Sequence, residues 1–123
     1  MKKALIRVAF EKSTDYRKKL ELIKEYPSHC ADPIHHKRLI DRIHIIDHWM
    51  NCLKAEELYA IERHLIGKKS WKEIMDEHAD TVGKSNALNS RTFQRHQQQG
   101  LERIEYMMNE SFGDSFDYLF QDN

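Results

Sequence analysis

Two prolines and four glycines are the only strong breakers in 123 residues, and between them apolar side chains recur at three- and four-residue spacing. That pattern predicts an all-α chain of amphipathic helices whose joints lie at the breakers. Residues 4–10 are ambiguous: Ala4, Ile6, Val8 and Phe10 alternate as in a strand and fit a helical arm nearly as well. Ser13 or Thr14 can cap a helix to about Glu25, with Tyr16, Leu20 and Ile23 on one face. Tyr26-Pro27 ends it, because a residue before proline is pushed out of the helical region. Residues 27–33 then form a loop closed by Pro33.

A second helix is expected over Ile34–Cys52, with Leu39, Ile43, Ile46, Met50 and Leu53 as its stripe, widened by Ile40, Ile45 and Trp49. So apolar a helix belongs at the centre of a multi-helix bundle. A third covers Ala55–Ile66 through Leu58, Ile61 and Leu65, and Gly67 stops it. Ser70-Trp71-Lys72-Glu73 is a capping box, opening a short helix to about His78 that buries Trp71, Ile74 and Met75. Residues 79–89 read as a loop. Asn89 or Ser90 caps a long helix to about Asn109, whose apolar face is Phe93, Gln97 or Gly100, Leu101, Ile104 and Met108. The chain divides into an N-terminal helical region (1–52), a second helical region (53–109) and a tail (110–123) with four acids and no Lys or Arg.

Composition narrows the function. Twenty Lys and Arg balance twenty Asp and Glu, and 123 residues suffice for one domain, with or without a small appendage. No apolar run approaches the roughly 18–20 residues of a membrane span, and the N-terminus lacks the features of a signal peptide. Two cysteines make no disulfide framework, so a reducing, cytoplasmic setting is expected. Neither G-x-G-x-x-G, G-x-x-x-x-G-K-[ST], G-x-S-x-G nor H-E-x-x-H occurs. The expectation is a protein without enzymatic activity or cofactor.

The last two helices carry a different chemistry. A short helix followed by a longer one with a polar, arginine-bearing start is the layout of a helix-turn-helix. Arg91, Thr92, Gln94, Arg95 and Gln98 share the outward arc of the long helix with Gln99. Arginine matches the O6 and N7 of guanine, and glutamine the N6 and N7 of adenine. Lys68, Lys69, Ser70, Lys72, Lys84 and Ser90 flank that arc and are candidates for phosphate contact. From Gly67 to Ile104 seven basic residues face five acids, while the tail holds four acids, so neutral net charge hides an uneven distribution. An ordinary helix hairpin with solvated polar faces fits the spacing equally well.

Leu53-Lys54-Ala55-Glu56-Glu57, the run Leu65 to Ile74, Ser90-Arg91-Thr92-Phe93-Gln94-Arg95 and Gly100-Leu101-Glu102-Arg103-Ile104 together resemble region four of sigma-70-type factors. The resemblance is closer still to phage transcriptional regulators of the ArpU type, and it spans residues 53–104. It implies a sigma-region-four-like helix-turn-helix that binds duplex DNA and regulates phage or prophage late genes, with RNA polymerase as a possible partner. One departure from that pattern is the connection 79–89, longer than the family's tight turn; it leaves the helix angle open and offers Lys84 to phosphate.

His44, His48 and Cys52 recur at four-residue spacing and are low-ranking metal-ligand candidates, with His29, Cys30, His35 and His36 upstream. A protein-binding adaptor is the alternative function, docking through the tail or the isoleucine-rich second helix. Phe112, Phe116 and Leu119 or Phe120 of the aromatic-acidic tail are expected to fold back on the core more readily than to meet a partner. The N-terminal helices serve as core or as a homodimer surface.

Overall fold

The computed structural model describes residues 2–29, 32–111 and 119–120, and among them the fold is all-α with no strand. The helices are α1 (Lys2–Glu25), α2 (Pro33–Asn51), α3 (Ala55–Ile61), α4 (Trp71–Val82) and α5 (Ser90–Ser111). A π turn, Glu62–Ile66, continues α3, and short 3-10 turns occupy Pro27–His29 and Lys84–Asn86. Helix α1 packs against α2, α5 and the π turn; α3 and α4 both pack on α5. No helix among these residues is long and apolar enough to cross a membrane.

The N-terminal expectation needs correction. Residues 4–10 are neither strand nor separate arm, and neither Ser13 nor Thr14 caps a helix: α1 runs unbroken for 24 residues. Ile6, Ala9, Phe10, Ser13 and Tyr16 fall on one buried stripe, whereas Val8, a member of the apparent alternation, stays 41% exposed. Continuing the helix keeps that stripe contiguous against α2 and α5; a break at Ser13 would divide it.

Asp32 caps α2, its carboxylate accepting from the Ile34 amide at 2.9 Å, and Pro33 occupies the first turn, where its missing N–H costs nothing. The buried positions are Leu39, Arg42, Ile43, Ile46 and Trp49, while Met50 and Leu53 are only half-buried. Trp49 lies at the centre. It meets Phe10 edge-on (centroids 5.6 Å apart, planes at 60°) and stacks on Phe120 (5.4 Å, 28°). Arg42 donates from Nε to the Leu119 carbonyl at 2.7 Å and lies over the Tyr16 ring. Leu119 and Phe120 therefore fold back as expected; Phe112 and Phe116 lie outside the described residues.

The connection before the long helix is shorter than the composition suggests. Helix α4 passes His78 and ends at Val82, so the loop begins at Gly83 instead of Ala79. Nothing in Ala79–Val82 breaks a helix, and Thr81 returns its hydroxyl to the Glu77 carbonyl at 3.0 Å. Gly83 stops it with φ of 86°, a left-handed conformation that disfavours any side chain.

Candidate nucleic-acid interface

Helix α5 begins at a real cap. Asn89, rather than Ser90, supplies it: its Oδ1 accepts from the Thr92 amide at 3.0 Å and the Thr92 hydroxyl at 3.1 Å. The expected apolar stripe is buried throughout, with Phe93, Gln97, Gly100, Leu101, Ile104 and Met108 all facing inward. Because that stripe is fixed, the opposite arc must face out. Arg91, Gln94, Arg95, Gln98 and Gln99 are exposed there, and Thr92 is half-exposed with its hydroxyl already engaged. Gln98 donates to Glu102 at 3.1 Å.

Helix α4 packs on the start of α5. Ile74 is fully buried, His78 meets Phe93 edge-on at 5.3 Å, and Tyr59 of α3 approaches the same phenyl ring at 5.9 Å. The Ser70 capping box is formed in both directions: Ser70 Oγ accepts from the Glu73 amide, and the Ser70 amide donates to Glu73 Oε1, each at 3.2 Å.

The flanking cations divide into two groups. Lys72 and Lys84 are exposed, and no internal ion pair holds either among the described residues. Lys68 instead donates to the Glu11 carbonyl of α1 at 2.6 Å, and Lys69 forms an ion pair with Glu77 of α4. Ser90 is half-buried at the start of α5. Acids surround this group: Glu73, Asp76 and Asp80 are exposed on α4. Over the whole chain, residues 1–54 carry 12 Lys and Arg against 7 Asp and Glu, and residues 55–123 carry 8 against 13.

Two arrangements were not anticipated. Glu57, only 1% exposed, accepts from Arg103 Nε at 2.8 Å, from Arg103 Nη2 at 3.1 Å and from the Lys54 amide at 3.0 Å. Burial pushes its pKa up; the Arg103 fork and the Lys54 amide outweigh burial and hold the carboxyl below its ordinary value. In return the Glu57 hydrogen bonds and charge raise Arg103. The second cluster joins three elements. His64, inside the π turn, stacks on Trp71 of α4 (3.8 Å, 22°), and its Nδ1 lies 2.6 Å from Oε1 of Gln97 in α5. A glutamine inside an apolar stripe was the sequence signal for this contact, since a buried amide demands a partner.

His48 Nε2 and Cys52 Sγ approach to 3.9 Å, while His44 stays exposed. Among the described residues no three His, Cys, Asp or Glu side chains converge as a metal site would require; Cys30 lies outside them.

No family model, curated protein or solved structure matches this chain. Its reading rests on the residues themselves.

Proposed function

We propose that this protein binds duplex DNA through a sigma-region-four-like helix-turn-helix formed by α4 and α5 and thereby regulates transcription. The observation that carries the reading is the arc of Arg91, Gln94, Arg95 and Gln98, exposed on the first turns of a helix whose other face is locked into the core. Those side chains match base edges of the major groove, and the helix N-terminus favours phosphate. Lys72 and Lys84 serve as phosphate contacts in their present positions. Lys68 and Lys69 already contact Glu11 and Glu77, which leaves them less free than Lys72 and Lys84 to follow a phosphate. The likeness to ArpU-type regulators supports a phage or prophage setting, with RNA polymerase or a second copy of the chain as further partners.

Selection from a random duplex library, followed by salt titration of the enriched and scrambled duplexes, tests the reading. The expected result is one enriched motif bound about a thousandfold tighter than the scramble, with both affinities falling steeply in salt. A chain that enriches nothing and binds no duplex at low salt is not a DNA reader.

The acid excess of residues 55–123 favours a second reading, in which the same helices dock on a protein. Retention on heparin at low salt separates the two, because an adaptor without a cationic face flows through.

A further inference from the structure

The segment joining α3 to α4 is assembled against local preference at three points. Residues 62–66 form a π turn, with the Gly67 amide donating to the Glu62 carbonyl at 2.8 Å, a geometry that is rare in ordinary helices. Lys68 sits at φ of 59°, a left-handed conformation that is costly for a residue with a β-carbon. Gly67 cannot be replaced without a clash, since a β-carbon there would lie 2.9 Å from the Arg63 carbonyl oxygen. At the other end of the contact, Gln97 places an amide, 6% exposed, within the apolar stripe of α5. A leucine there and a plain α-helical ending with a left-handed glycine would be the cheaper solution.

What these departures secure together is the position of one imidazole. The π turn carries His64 to where it stacks on Trp71, the first residue of α4, and meets Gln97 of α5. An amide oxygen only accepts, so the His64 Nδ1–H is the donor. The stack holds the start of α4. The apolar stripe sets the coarse rotation of α5, and the hydrogen bond adds a directional tether to it, one turn from Gln94. Rotation of that helix decides which outward side chains meet base edges.

We propose that the α3–α4 joint, with His64 at its centre, is a positioning device that sets which bases the first turns of α5 read. The inference rests on the DNA-reading role proposed above. His64 itself does not touch DNA; it acts through Gln97 and Trp71.

The test uses the full chain and the duplex that wild type selects, beside its scramble. His64→Phe keeps an aromatic ring on Trp71 and removes the donor. Its expected behaviour is wild-type affinity and salt dependence on the scramble, with the specific-to-scrambled ratio reduced by about tenfold or more. His64→Asn places an amide N–H near the Nδ1 position and is expected to retain most of the ratio. Gln97→Met fills the stripe with an apolar side chain of similar length and removes the acceptor; it should lose the ratio as His64→Phe does.

An unchanged ratio in His64→Phe and Gln97→Met overturns the inference alone. So does an equal loss in His64→Asn and His64→Phe, which would mean the imidazole is only packing. A wild-type chain that enriches no sequence brings down the DNA reading and this inference with it.

Discussion

At the scale of single residues, the buried carboxylate of Glu57 makes the most specific demand. It is saturated by the Arg103 fork and the Lys54 amide, so its charged form is favoured in the folded state although burial opposes it. A carboxyl whose folded pKa lies below its ordinary value of 4.5 stabilises the fold above that value. The contribution is lost as pH falls through the lower, folded pKa. Glu57→Gln should therefore reduce the unfolding free energy by about 1–3 kcal/mol at neutral pH. The gap to wild type should close in acid, which urea denaturation across that range measures. The DNA-facing residues act differently. Arg95→Ala should cost about 1–3 kcal/mol on the selected duplex and relax preference at one base pair. Lys72→Ala should weaken every duplex alike and flatten the salt slope by about one unit. Quantitative binding at several salt concentrations distinguishes the two patterns. The Arg95 arc was legible in the sequence because it is the complement of a periodic stripe. The Glu57–Arg103 pair was not, since 46 residues separate its partners and only the packing of α3 on α5 brings them together.

At the scale of elements, the strongest constraint lies where α3 crosses α5. Gly100 is buried there, and a β-carbon at this position would stand 2.8 Å from Ile61 Cδ1, 3.2 Å from Glu57 Cβ and 3.3 Å from Leu53 Cδ2. Close approach of the two helices thus depends on the missing side chain. Gly100→Val should destabilise the fold by about 2–3 kcal/mol through overpacking, read as a lowered denaturation midpoint at unchanged slope. The sequence placed Gly100 on the apolar face but gave no means of naming what it meets. Element boundaries divided along a similar line. Capping signals divided: Ser70 opens α4 and Asn89 opens α5, whereas Ser13 and Thr14 lie inside α1 and cap nothing. Composition misled. Small and polar residues at 79–82 continue α4, and the alternating pattern at 4–10 lies within α1. The π turn was out of reach, because nothing in the pattern of Glu62–Ile66 separates it from an ordinary helical ending, and the His64 contacts to Trp71 and Gln97 join elements distant in sequence.

At the scale of the whole molecule, segments distant in sequence close one core. The Lys3 amide donates to Glu105 Oε2 at 2.8 Å, which ties the start of α1 to the later part of α5. Phe120 stacks on Trp49, which also meets Phe10 edge-on. The indole thus contacts residues 39 positions before it and 71 after it, so its burial joins three segments. Phe120 is 7% exposed and Trp49 not exposed at all, so removing the phenyl ring opens the centre of the fold instead of trimming its surface. Phe120→Ala should lower the unfolding free energy by about 3–5 kcal/mol, the range for buried aromatic truncations. It should also shift tryptophan emission to the red as water reaches Trp49. Trp71 supplies a second emission, so the shift is to be read in a Trp71→Phe background. If the tail is instead a free arm kept for a partner, the variant melts as wild type does and its emission stays put. The same measurement bears on the adaptor reading, because a tail engaged on Trp49 is occupied, and a partner that captures Phe120 must first take it from the core.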